Sequence, residues 1–158
     1  MLYAGRLSQE KGVADAVIAC RDAGLPLVVA GDGPQAAELR ALAVGADVRF
    51  TGGVDAAELA ELRRDAAVAV VPSRYAEILP LAALEAMAAG VPAVAARSGG
   101  LAELVPEEGL YPAGDAAALA GRARRLWGDE AAGNRALAIV RERCEPATVA
   151  RALADVYA

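Results

Sequence analysis

A chain of 158 residues, 56% hydrophobic and 23% charged, has the size and composition of one globular domain with a real core rather than of a disordered segment. A formal net charge of −5 without any basic block argues against wholesale binding to nucleic acid or to an anionic membrane. The sequence contains no His and only two Cys, which removes the commonest general base and the commonest metal ligand, so no metal is expected.

Short apolar runs alternate with helical patterns along most of the chain. A strand over 2–4 leads into the loop GRLSQEKG and a helix over 12–23. A strand over 27–30 leads into the turn Gly31-Asp32-Gly33-Pro34, whose Pro suits the first position of a helix over 34–44. Strands over 48–50 and 67–71 flank a helix over 55–65. A helix over 80–89, a strand over 93–96, a helix over 99–105 and a last strand over 109–111 follow. From Asp115 onwards the pattern is helical, with segments to about 127, over 130–143 and over 146–157. The strand runs are continuous Val, Ala and Leu rather than alternating, as in strands buried on both faces. The expectation is an α/β fold with a doubly wound parallel sheet, Rossmann-like, forming a single domain over 1–158.

No run approaches the ~20 apolar residues that cross a bilayer, so no membrane span is expected. The N-terminal stretch lacks a basic region followed by a long apolar core, and a cytoplasmic location is the expectation. Cys20 and Cys144 read as small buried hydrophobes. Of sixteen basic residues fifteen are Arg, and the single Lys is Lys11. A compact ammonium at that place suits a phosphate.

In a doubly wound sheet ligands bind beyond the carboxyl ends of the strands, near the switch in strand order. Three segments fall there. The first is Gly5-Arg6-Leu7-Ser8-Gln9-Glu10-Lys11-Gly12, where two cations stand near a helix N-terminus, as a diphosphate cradle would need. Taken alone it reads more simply as an exposed loop. The second is RYAEILPLAALEAMAAG, in which Glu77 precedes an apolar helix and Glu85 lies within it. Leu81, Leu84, Glu85 and Ala88 follow helical spacing, which places Glu85 on a stripe with core residues, and no nearby cation in the sequence neutralises it. A buried carboxylate there needs water or a hydrogen-bonding partner, and a pair of ligand hydroxyls would serve. A solvent-facing Glu85 is the alternative. The third is Ser98-Gly99-Gly100, where the backbone could approach a ligand, although an ordinary turn is the simpler reading.

Together, GRLSQEKG, GDGP, VRFTGGVDAAEL, VPSRYAEILPLAALEAMAAGVPAVA and SGGLAELV resemble the nucleotide-sugar-binding half of retaining GT-B glycosyltransferases, most closely glycosyltransferase family 4, the "glycosyl transferases group 1". The likeness covers nearly the whole chain with the motifs in family order. It implies that Arg6 and Lys11 bind the diphosphate of a nucleoside-diphosphate sugar donor beside Gly5, and that Glu77 contacts the transferred sugar. It implies that Glu85 bonds the ribose, that backbone near Gly53 and Val54 meets the base, and that Ile78, Leu79 and Leu81 present amides to the donor. Arg6, Lys11 and Glu77 are the residues it assigns to catalysis. UDP, GDP and ADP are not separated, because backbone contacts carry no base identity. Where many relatives have a small residue or Pro and then Phe-Gly after the first Glu, this chain has Ile78-Leu79-Pro80, and Pro80 removes one N–H. The family's N-terminal, acceptor-binding half and its sugar-contacting His have no counterpart here. The implied function is therefore the donor domain of a glycosyltransferase working with that half, or a non-catalytic binding module paired with a separate acceptor chain. A sugar-nucleotide epimerase half shares the fold class but not the spacing of Arg6, Lys11, Glu77 and Glu85.

Overall fold

The computed structural model describes residues 1–157. Six strands run Leu2–Ala4 (β1), Leu27–Ala30 (β2), Val48–Gly52 (β3), Ala69–Val71 (β4), Ala93–Ala96 (β5) and Leu110–Tyr111 (β6). They form one sheet in the order β3-β2-β1-β4-β5-β6, with every pair parallel. The expected doubly wound sheet is thus observed, and its strand order reverses between β1 and β4. The helices are Val13–Ala23 (α1), Ala36–Leu42 (α2), Ala56–Arg64 (α3), Leu81–Ala88 (α4), Gly99–Leu104 (α5), Ala116–Leu126 (α6), Glu130–Cys144 (α7) and Pro146–Tyr157 (α8).

Small and branched apolar residues make the strands, and burial on both faces selects them. Val29, Val70 and Val94 are fully buried beside Leu27, Val17 and Leu119 in a core that joins α1 and α6 to the sheet. On the opposite face Val71, Ala83, Met87, Ala93, Leu101 and Ala136 form a second core between the sheet and the helices α4, α5 and α7. Burying each Val, Leu or Met contributes roughly 1.5–3 kcal/mol, and each Ala less, against the entropy of ordering the chain. Asp55 starts α3 by accepting from the amides of Ala57 and Glu58 at 2.9 Å each, while the Glu58 carboxylate accepts from the Asp55 amide. Asp115 and Asp129 cap α6 and α7 through the amides of Ala118 and Ala132. These local choices agree with the global pattern.

The expectation for α4 needs correction. Its core side is Ala83, Ala86 and Met87, whereas Leu81, Glu85 and Ala88 are exposed and Leu84 is half-buried. Apolar composition hid the true face, because Ala and Leu occupy both sides of this short helix. Glu85 therefore does not share a stripe with the core. Of the two cysteines, Cys20 is buried as expected and Cys144 is only partly covered; both are free. No helix among the described residues is long and apolar enough to cross a membrane.

Candidate functional site

At the carboxyl ends of β1 and β4 two loops meet, one from 5 to 12 and one from 72 to 80. Their junction is built mostly from backbone. The Arg74 amide donates to the Glu10 carbonyl at 2.8 Å. Gly12 has φ 64°, in the left-handed region, and a Cβ there would lie 2.0 Å from the Pro72 carbonyl oxygen, so only glycine lets the chain turn into α1 at this distance. Arg74 reaches across to Asp15 in the first turn of α1, donating to its two oxygens at 2.5 and 3.1 Å. The Asp15 side chain is only 3% exposed. On the other side the Gly100 amide donates to the Glu77 carbonyl at 2.7 Å, and the Ser98 hydroxyl donates to the Tyr75 carbonyl at 2.6 Å. A Cβ on Gly99 would come within 2.7 Å of that Glu77 carbonyl oxygen. The close approach of this glycine pair is thus to the loop that carries Glu77.

Glu77 is the buried carboxylate of the site, 6% exposed. Lys11 donates to its Oε1 at 2.9 Å across 66 residues of sequence, and the Ser73 hydroxyl donates to the same oxygen. A second Lys11 contact, at 3.3 Å, reaches the Tyr75 hydroxyl. Paired and hydrogen-bonded, the carboxylate avoids the several kcal/mol that an isolated buried charge costs. Burial works against the Lys11 ammonium, but the hydrogen bonds to Glu77 and Tyr75 and the Glu77 charge outweigh it and hold the lysine above its ordinary pKa. Arg6 stands exposed on the same rim, and none of the salt bridges among the described residues engages it. The Tyr3 hydroxyl donates to the Arg6 carbonyl at 2.7 Å and fixes the start of the loop.

These residues surround a cleft of about 220 Å³ whose walls include Gly5, Arg6, Lys11, Ser73, Glu77, Leu79 and Leu81. A larger hollow of about 340 Å³ at the amino ends of β1, β2 and β3, beside Met1 and Trp127, has Arg49 as its one cationic side chain, with Asp47 and Asp65 also in its lining. The smaller cleft is the stronger candidate, because charge, backbone and the switch in strand order converge there. No group of three or more His, Cys, Asp or Glu side chains suited to a metal occurs among the described residues.

The expected site residues are not all in one place. Gly5, Arg6, Lys11, Glu77, Leu79 and Leu81 share the cleft. Ile78 is 97% exposed. Gly53 and Val54 line a separate hollow of about 440 Å³ between β3 and α3, which shares no lining residue with the cleft. Glu85 lies on the exposed flank of α4, where the Arg63 guanidinium of α3 donates to its Oε2. Sequence reasoning did not find Ser73, Tyr75, Arg63 or the Asp15–Arg74 pair. Ser73 and Tyr75 carried a signal, since they stand four and two residues before Glu77; Arg63 is 22 residues from its partner and carried none.

The family model for "Glycosyl transferases group 1" matches residues 1–129. Over 99% of this chain the sequence is 40% identical to a glycogen synthase of Mycobacterium tuberculosis, of which it covers 42%. The chain thus spans less than half the length of that relative. Among solved structures, the Anabaena protein HepE in complex with UDP and glucose is 25% identical with a TM-score of 0.84, over 99% of this chain and 47% of that one. The C-terminal domain of the glycosyl transferase group 1 family protein LpcC from Francisella tularensis shares the fold at a TM-score of 0.78 and 19% identity, over 92% of this chain and 85% of that one. Six parallel strands, a cationic cleft at their switch point and these likenesses identify the chain as a member of the glycosyl transferases group 1, glycosyltransferase family 4, with the fold of a C-terminal GT-B half.

Proposed function

We propose that residues 1–158 are the donor-binding domain of a retaining glycosyltransferase, which holds a nucleoside-diphosphate sugar for transfer to an acceptor bound elsewhere. The observation that carries this reading is the convergence of Arg6, Lys11 and the buried Glu77 at the β1/β4 switch. Two cations there suit a diphosphate, and a carboxylate just beyond suits sugar hydroxyls. The structure of HepE with UDP and glucose supports it, as a relative that holds such a nucleotide. The Glu85 carboxylate, with one oxygen engaged by Arg63, keeps the other for a ribose hydroxyl. The backbone of Gly53 and Val54, close to β3, is offered to the base.

In transfer, negative charge grows on the departing diphosphate. Lys11, held by Glu77 and Tyr75, and Arg6 on the exposed rim stabilise that growing charge, so the stabilisation is larger in the transition state than in the ground state. Glu77 orients the sugar. The acceptor must come from another half, either further along a longer protein or on a partner chain, because one face of the cleft cannot hold both substrates in line. Calorimetric titration with UDP, GDP and ADP tests the reading. Saturable binding of at least one, weakened by Arg6→Ala and by Lys11→Ala while the matching nucleoside is unaffected, is the expected result. A folded sample that binds none of the three refutes it.

A further inference from the structure

We propose that Glu77 makes the cleft discriminate between an intact nucleotide sugar and the spent nucleoside diphosphate, by accepting from a sugar hydroxyl of the former and repelling the terminal phosphate of the latter. This rests on the donor-domain reading above.

Among the described residues, both donors to the Glu77 carboxylate, the Lys11 ammonium and the Ser73 hydroxyl, use Oε1. Oε2 receives none of the hydrogen bonds given to Glu77, and the residue lines the cleft. One face of a buried carboxylate is therefore fixed by the protein and the other is left for a ligand. A sugar hydroxyl is a donor and can fill Oε2. A terminal phosphate is acceptor-only when ionised and cannot. The two ligands also differ in charge: a phosphate esterified to a sugar carries one negative charge, whereas a terminal phosphate carries about −1.5 to −2 at pH 7. Loss of the sugar thus brings extra negative charge towards Glu77 in a cleft where Arg6 and Lys11 are the cations, and Lys11 is already engaged by that same carboxylate. Ser73, 1% exposed, keeps Glu77 from swinging away.

The experiment is calorimetric titration of the chain, of Glu77→Gln and of Glu77→Ala with UDP and UDP-glucose, GDP and GDP-mannose, and ADP and ADP-glucose. For the pair that the parent binds, neutralising Glu77 is expected to tighten the free diphosphate on the order of tenfold, the scale of one partly screened charge contact. The intact donor should gain less or weaken, so the ratio of the two dissociation constants falls in both variants. Thermal unfolding of each variant reports its fold. Diphosphate affinity that stays level or drops in both folded variants overturns the role of Glu77 alone. A parent that binds no member of any pair overturns the donor-domain reading and this inference together.

Discussion

Replacing Arg74 by Ala removes the side chain that, among the described residues, alone bonds the Asp15 carboxylate, which is 3% exposed while the arginine side chain is 48% exposed. Breaking a fully buried pair costs about 3–5 kcal/mol. Water reaches the arginine side of this pair, and that screening lowers the expectation to about 2 kcal/mol. For a domain of this length each kcal/mol moves the midpoint by ~2–4 °C, so Arg74→Ala should unfold about 4–8 °C below the parent. Thermal unfolding followed by far-UV circular dichroism, checked by urea midpoints, measures it. The double variant Asp15→Asn/Arg74→Ala should regain part of the loss, because the charge left without a partner is then gone. The Arg74 amide that bonds the Glu10 carbonyl is kept in the variant, but the side-chain tether from the 72–80 loop to α1 is lost, which should loosen the junction of the two cleft loops and weaken nucleotide binding. An Arg74→Ala midpoint within about 1 °C of the parent, or a double variant less stable than the single by the full effect of Asp15→Asn, would refute the clamp.

Gly12→Ala forces a side chain into the left-handed region and to within 2.0 Å of the Pro72 carbonyl oxygen; a loss above about 3 kcal/mol in urea unfolding is expected, together with loss of nucleotide binding. Glu85→Ala should weaken ribonucleotides about tenfold while leaving 2′,3′-dideoxy analogues unchanged, read by parallel calorimetric titrations. Lys11 is the only lysine of the chain, so carbon-13 labelling of lysine gives one ε-methylene resonance whose titration should centre above pH 10.5. A pKa raised by folding means that the Lys11 contribution to stability is complete below the unfolded value of 10.5 and is lost as pH rises through the higher folded value. Lys11→Met should abolish that alkaline loss, and Glu77→Gln should bring the resonance midpoint down.

The strands over 2–4, 27–30 and 93–96 are legible residue for residue, because doubly buried strands must be short apolar runs and the polar or small residues that follow them mark their ends. At the sheet edge the pattern blurs. Strand β3 continues through Thr51 to Gly52, where Thr51 bonds the Val29 carbonyl and burial no longer dictates residue type. Inside the sheet, strand β4 begins at Ala69 rather than 67, since Ala67 and Val68 read as strand by composition but lie before its pairing with β5. In the site, the pairing of Lys11 with Glu77 brings together two segments that the motifs already marked. The state of Glu85 was not legible. Its exposure depends on which side of α4 faces the core, and its partner Arg63 arrives through tertiary packing of α3 that no local spacing encodes. The Asp15–Arg74 clamp was hidden for the same reason, as each residue alone looks like an ordinary surface charge.

The order of the strands has a kinetic corollary. The half-sheet β1–β2–β3 assembles from neighbours in sequence, yet the wall bearing Glu77 enters only when β4 docks on β1, which pairs Leu2 with Ala69. Joining segments so far apart along the chain costs loop-closure entropy before their contacts form, which makes it a slow event. A chain stalled before that event would hold Arg6 and Lys11 on a correct first loop and still lack the cleft. Recovery of ligand binding during refolding should accordingly trail the return of helical signal, and the lag would time the closure of the β1–β4 seam.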